Sequence, residues 1–382
     1  MLPLSDVTVV ALEQAVAAPF ATRQLADLGA RVIKIERPAG GDFARAYDTT
    51  VRGLSSHFVW LNRNKESVVL DLKDPAGRDT LSRLVAGADV FVQNLAPGAA
   101  DRLGFSAAAL RAENPRLVVC DISGYGSDGP YRDKKAYDLL VQCETAVPAL
   151  TGTPDQPVKT GIPIADISAG MYAYSGILSA LYEREHTGQG QALEVSLFDS
   201  LTEWVGYPLY FTTYGGHQPP RTGLAHAAIA PYGPFRCGDD QTIFLAVQND
   251  REWVRLCEQI LRRPELAVDA RFATNDARTA HRDELHEIVE GVFAGSDSDT
   301  VLGLLDAAAI ANARLRDVAG LAEHPQLAER GRWSEVDSPA GPLRSLVPPV
   351  TVAGRRARMD AVPALGEHTE AVLAELEHPP GR

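Results

Sequence analysis

Apolar and polar positions alternate in blocks along the first third of this chain. Residues 7–12, 31–35, 67–72, 89–92 and 116–121 are short, nearly continuous apolar runs of strand length, as expected of strands covered on both faces. Between them, residues 17–28, 75–88 and 97–114 place apolar residues at helical spacing. Pro75 stands in a first turn, where its missing N–H costs nothing, and Gly29 follows the end of the first helix. Strand and helix alternating through short connections predict a doubly wound, parallel, Rossmann-like α/β sheet. Ligands bind such sheets beyond the carboxyl ends of the strands.

The pattern changes in the middle of the chain. A helix opens at residues 137–142, and residues 151–157 read as an extended turn. Pro163-Ile-Pro-Ile-Ala-Asp166 is an apolar run with one carboxylate, and a carboxylate in such company needs a reason. An N-cap is one: Asp accepts the orphan backbone N–H groups of a first turn. A helix then runs to Gly188. Met171, Tyr174, Leu178, Leu181 and Tyr182 form its apolar stripe, and Gly170, Ala173, Gly176 and Ala180 offer a face for close backbone approach. Residues 192–198 alternate as a strand, and Ser200-x-x-Glu203 reads as a capping box. Further on, strands are expected at residues 232–235 and 242–247, with helices at 252–261, 277–293 and 300–309. The expected division is a large α/β domain over 1–215, a smaller α/β domain over 216–330, and a linker with C-terminal segment over 331–382.

Composition narrows the function classes. The chain has 382 residues, 45% hydrophobic and 23% charged, as in an ordinary globular protein, with a net charge of -13. That charge argues against a nucleic-acid footprint, which needs a basic stripe, but leaves room for a local basic pocket. There is no apolar run approaching a membrane span and no leader pattern, so a cytoplasmic protein with no membrane partner is expected. Cys120, Cys143, Cys237 and Cys257 lack C-x-x-C spacing and read as buried free thiols. His281 and His286 are five apart rather than four, and no metal is expected. Gly124-x-Gly126-x-x-Gly129 fits a dinucleotide fingerprint after a strand. Pro130 and the charged run through Lys135 follow where a helix should start, so a turn is the reading. A nicotinamide-dependent dehydrogenase stays open as a competing hypothesis, as does a catalytically silent binding protein.

The strand ends carry the candidate chemistry. Glu36-Arg37-Pro38 with Gly41-Asp42, then Lys73, Gln93-Asn94 and Arg102, put cations and amides where a phosphorylated ligand would lie. Together with Asn62-Arg-Asn-Lys65, Tyr137-Asp138, Thr187-Gly-Gln-Gly190, Glu194-Val-Ser-Leu-Phe-Asp199 and Leu365-Gly-Glu-His-Thr369, these segments resemble, in order, the class III coenzyme A transferases (CaiB/BaiF type). That family includes formyl-CoA transferases and 2-methylacyl-CoA racemases. The resemblance spans nearly the whole chain and is weakest between about 205 and 330. It implies Asp166 as a nucleophile that forms an anhydride and then an aspartyl-CoA thioester, with Tyr137 and Asp138 beside it. It implies CoA contacts from Val16, Ala17, Arg37, Leu70, Lys73, Asn94, Leu95, Arg102, Lys135 and Tyr137. It also implies acyl-CoA and small carboxylic acids as substrates, no tightly bound cofactor, an interlocked homodimer, and a C-terminal segment returning to the large domain. Two departures bear on activity. The racemases carry a His-Asp pair where this chain has Tyr137-Asp138, which favours transfer over racemisation and keeps the racemase as the alternative. The glycine-rich loop of the oxalate-specific members has no counterpart here, Gly215-Gly216 being the only glycine pair between 215 and 233.

Overall fold

A computed structural model describes residues 2–378, and the chain divides into two compact units. The first comprises Met1–Val147, Thr160–Tyr207 and Gln326–Arg382, and the second comprises Pro148–Lys159 and Pro208–Pro325.

The first unit is built on six parallel strands: β1 (Thr8–Leu12), β2 (Arg31–Glu36), β3 (Lys65–Val69), β4 (Val90–Gln93), β5 (Val118–Ser123) and β6 (Ala192–Ser196). Their order is β3-β2-β1-β4-β5-β6. The chain starts mid-sheet, winds outward to β3, then returns to place β4 on the other side of β1. Strand order therefore reverses between β1 and β4, the switch point at which such sheets open a crevice. The helices of this unit are α1 (Ala17–Asp27), α2 (Ser56–Asn62), α3 (Pro75–Ala86), α4 (Ala99–Arg102), α5 (Ala107–Glu113), α6 (Asp138–Glu144), α8 (Ile164–Thr187) and α9 (Leu197–Trp204), while α7 (Val147–Leu150) and α10 (Gly206–Gly215) carry the chain into the second unit. Successive side chains of β1 feed opposite layers: Val9 and Ala11 pack with α1 and α8, while Val10 and Leu12 pack with α3 and α5.

In the second unit, β7 (Tyr232–Arg236), β8 (Thr242–Ala246) and β9 (Ala311–Arg314) pair antiparallel. Around them lie α11 (Asp250–Arg255), α12 (Asn275–Ala280), α13 (Arg282–Phe293), α14 (Ser298–Ala307) and α15 (Val318–Ala322). After α16 (Pro325–Glu329), the hairpin β10 (Trp333–Val336) and β11 (Leu343–Leu346) and the helix α17 (Thr369–Glu377) belong to the first unit, where α17 packs on α3 and β3.

The structure corrects several expectations. Strand β3 begins at Lys65 rather than 67, because Lys65 pairs with Val32 and turns its ammonium inward. The expected 97–114 helix breaks at Gly104 (φ 91°), which lets Phe105 bury itself. The expected 277–293 helix breaks at His281. The capping box is one turn earlier than read: Ser196 accepts from the Asp199 N–H at 2.9 Å and donates to its carboxylate at 2.7 Å, whereas Ser200 lies inside α9. Cys143 is exposed, and the other three thiols are buried. On α8 the small-residue face is buried, with Ala165, Ala169, Ala173 and Ala180 inside beside Ile177 and Leu181, while Met171 and Tyr182 of the expected apolar stripe are exposed. Helix α1 explains this: a Cβ on Gly170 would stand 2.7 Å from the Ala17 carbonyl, so only small residues fit between the two backbones. Among the described residues, no helix is long and apolar enough to cross a membrane.

Candidate active site

The switch-point loop Glu13-Gln14-Ala15-Val16 is held from three sides. Below it lies a buried ion cluster. The Glu13 carboxylate accepts from the Lys65 ammonium at 2.7 Å and the Lys34 ammonium at 3.3 Å, and Lys34 also reaches Asp42 at 2.8 Å. Neighbouring Glu36 pairs with Arg45 at 2.7 Å and accepts from Ser67 at 2.6 Å. Burial opposes ionisation of Glu13, but Lys65 and Lys34 outweigh it and hold the carboxyl below its ordinary range. Burial likewise opposes charge on Lys34, and Glu13 and Asp42 reverse that. Lys65, sharing Glu13 with Lys34, is brought down to about 8, chiefly by burial. On one flank, Asp42 accepts from the Ala15 N–H at 3.1 Å and the Ala44 N–H at 2.9 Å. On the other, Asn94 donates to the Gln14 carbonyl and accepts from the Gln14 N–H, both at 2.8 Å. The loop thus holds Ala15 at φ 60° and delivers Val16 and Ala17 to the start of α1, where no side chain caps the helix.

A cavity of about 270 Å³ opens beyond the ends of β1, β2, β3 and β4. Leu12, Ile35, Leu70, Leu95 and Leu103 give it an apolar floor, and Arg37 and Lys73 stand in its rim. Both cations are exposed, and the Arg37 guanidinium donates to the Gly41 carbonyl at 2.8 Å. Of the ten residues assigned to CoA, Arg37, Leu70, Lys73 and Leu95 line this cavity. Val16 ends the adjoining loop, Ala17 opens α1, and Asn94 follows β4 with its amide on Gln14. Arg102 lies on α4, and Lys135 and Tyr137 precede α6; none of the three is in the cavity wall.

Asp166 lies in the first turn of α8, two residues after Ile164, and is not the N-cap, which is Pro163. The cap comes from another helix: Asp138, at the start of α6, accepts from the Ala165 N–H at 2.8 Å. Its second oxygen accepts from the Gln142 side-chain amide at 2.7 Å. Asp166 is half-buried, and burial, followed by the charge of Asp138, pushes its pKa up to about 7. A helix start favours an ionised acid, but desolvation and a like charge prevail here. Tyr137 is 67% exposed, which places its ring at the surface rather than in the core. Tyr47, from the loop after β2, feels both Asp166 and Tyr137; burial and the neighbouring carboxyls push its phenol up to about 12.

Sequence reading missed Glu13, Lys34 and Lys65 as a cluster, and Tyr47 and Gln142 altogether. Only Lys34 left a local signal, as a charge between Ile33 and Ile35 in an apolar strand.

A parallel sheet in this order, a basic-rimmed cavity beside its switch point and an acid with a displaced pKa at a helix start define an α/β enzyme domain. The chain belongs to CoA-transferase family III, whose family model matches residues 4–369. It is 37% identical over 330 residues to the acetyl-CoA:oxalate CoA-transferase of Acetobacter aceti, covering 86% of this chain and 84% of that one. It is 35% identical over 385 residues to the succinate–glutarate CoA-transferase of Agrobacterium fabrum, covering 98% and 96%. The crystal structure of a CaiB/BaiF family protein from Brucella suis matches with a TM-score of 0.87 and 35% identity, over 98% of this chain and 99% of that one. The protein is accordingly a CoA-transferase, moving CoA between acyl-CoA thioesters and carboxylic acids.

Proposed function

We propose that this enzyme takes CoA from a small dicarboxylic acyl-CoA such as succinyl-CoA and passes it to a second carboxylic acid, with Asp166 as covalent nucleophile. The observation that carries the reading is the position of Asp166: at a helix start, half-buried, and faced by the carboxylate of Asp138. The relative from Agrobacterium fabrum, named for succinate and glutarate, supports the dicarboxylic donor. An ionised Asp166 attacks the thioester carbonyl, the C–S bond breaks, and CoA leaves as thiolate with an aspartyl anhydride left behind. The thiolate attacks the aspartyl carbonyl, which releases the donor acid and forms an aspartyl-CoA thioester. The acceptor carboxylate then displaces the thiolate to form a new anhydride. Thiolate attack on its acyl carbon gives product and returns Asp166 as carboxylate, so no net proton is consumed. Asp138 assists the first step, because negative charge leaves its neighbourhood when it moves onto sulfur. Tyr137 in place of a histidine removes one of the two bases that a racemase needs. Incubation with succinyl-CoA and hydroxylamine should leave a hydroxamate on the peptide carrying Asp166; a label confined to any other peptide would overturn the assignment.

In this reading the nucleotide part of CoA occupies the cavity at the switch point. The Val16 and Ala17 N–H groups and the Arg37 and Lys73 cations face its phosphates, and Arg102 and Lys135 supply more distant positive charge. Lys73→Ala is expected to raise KM for acyl-CoA roughly tenfold, about 1.4 kcal/mol, and to leave kcat nearly unchanged. A fall in kcat with KM unaltered would remove Lys73 from the binding role.

We also infer a homodimer. Helix α10 buries none of its residues and exposes Tyr207, Leu209, Tyr210 and Tyr214, a patch that a monomer rarely leaves uncovered. Light scattering that returned the mass of a single chain would overturn this.

A further inference from the structure

The buried amide of Gln142 has no part in the chemistry above, yet it sits at the junction that governs Asp166. Gln142 is fully buried on α6. Its amide nitrogen donates to Asp138 at 2.7 Å, and its oxygen accepts from the Thr160 N–H at 3.1 Å. Asp138 in turn accepts from the Ala165 N–H, one residue before Asp166. A continuous run of hydrogen bonds therefore links the chain entering α8, through Gln142 and Asp138, to the first turn of α8. We propose that Gln142 is a positioning residue: its side-chain amide locks the Asp138 carboxylate between α6 and α8 and so fixes the like charge that Asp166 faces. The inference rests on Asp166 as the reacting group for its bearing on catalysis, but not for its electrostatics.

The geometry gives Gln142 this role for two reasons. A carboxylate accepting two N–H bonds on opposite oxygens cannot turn away without losing one, and a buried amide cannot follow it. Most other ionisable groups on the elements packed against α8 are engaged elsewhere, and Glu203 sits in the last turn of α9. Asp27 on α1 pairs with Arg63 and Arg23, Glu144 on α6 with Lys134, and Asp199 on α9 accepts from the Ser196 hydroxyl. Within β5 and β6, Asp121 accepts from the Gln93 amide and Glu194 from the Ser127 hydroxyl. The ionisable group acting on Asp166 is thus Asp138 from α6, and Asp166 acts in turn on the phenol of Tyr47 from the loop after β2.

The test follows the titration of Asp166 in two independent ways. One is the pH dependence of kcat/KM. The other is the difference in melting temperature between each variant and the same variant carrying Asp166→Asn, measured across pH, which needs no activity. Gln142→Met removes the donor, so Asp138 turns towards water or takes up a proton, and the titration of Asp166 moves down by roughly one pH unit. Asp138→Asn moves it in the same direction, and the double variant moves no further than Asp138→Asn alone. Gln142→Glu keeps an oxygen for Thr160 but sets a second carboxylate beside Asp138, and moves the titration up; this variant decides the matter if Gln142→Met does not fold. An unmoved titration in the Gln142 variants, or shifts that add in the double variant, would overturn the proposal. If Asp166→Ala stayed active while the melting-temperature titration still moved, the nucleophile reading would fail and the positioning role would stand.

Discussion

Asp166→Asn is expected to abolish CoA transfer, by at least about 10³-fold, and to make the protein more stable above neutral pH. The first part follows from the chemistry, because an amide at this position cannot accept the acyl group as an anhydride. The second follows from the site. In the unfolded chain this carboxyl titrates near its ordinary value of 3.8, and in the folded chain near about 7. Between those values the folded protein holds a proton that the unfolded chain has released. Stability therefore falls as pH rises through this window, by at most about 1.4 kcal/mol per pH unit. Asp166 keeps some solvent access, which scales that figure down. The Asp166→Asn side chain binds no such proton, so the variant's advantage over the parent should be absent near pH 4, grow to about pH 7 and then level off. Melting curves at pH 5 and pH 8 check this, with a gap of a few degrees expected at pH 8 and a smaller one at pH 5. An equal gap at both values would mean that Asp166 titrates normally. Activity of the parent should rise with pH through an apparent value near 7, since only the carboxylate attacks.

Much of the first unit was legible because strands covered on both faces must be apolar throughout, and helices between them must repeat near 3.6. The strand order itself was not legible in any residue, because alternation fixes a parallel sheet but not the sequence of its strands. The misreadings share one cause, which is that local sequence shows a side chain but not its partner. Asp166 looked like a cap because it is an Asp at a helix start, yet the acceptor for that turn is Asp138, 27 residues before the Ala165 N–H that it takes. Ser200-x-x-Glu203 matched a capping box in composition, but Ser196 and Asp199 make the same exchange one turn earlier, where β6 ends. On α8 the larger apolar residues drew the eye, and the small ones are buried because Gly170 lets α1 approach. Family motifs located the acid; they did not show that burial and a second carboxylate shift its pKa.

Glu13→Ala is expected to destabilise the first unit by about 3–5 kcal/mol, the usual cost of leaving a buried charge without its partner. Glu13 has no exposed side-chain surface and is shared by two equally buried ammonium groups, Lys34 and Lys65. Lys34 keeps Asp42 when Glu13 is removed. Lys65 keeps only neutral partners, the Pro19 carbonyl at 3.0 Å and the Asn62 side chain at 3.1 Å. The loss therefore falls mainly on Lys65, which burial already holds at about 8. That asymmetry makes a sharper prediction than the single variant. Glu13→Leu combined with Lys65→Met removes a matched pair from a closely packed site, and should recover most of the stability lost in Glu13→Ala. Thr22, which donates to Glu13, retains the Ala18 and Pro19 carbonyls as partners within α1. The pH dependence has a definite sign. The depressed pKa of Glu13 contributes stability that is present above its ordinary 4.5 and is lost as pH falls below that value. The double variant lacks this group, so its stability relative to the parent should rise as the medium is acidified below about pH 4. Denaturant titrations of the three proteins at pH 7 and pH 3 test both statements. A double variant no more stable than Glu13→Ala would mean that the ion pair itself, rather than the orphaned Lys65, holds the switch-point loop in place.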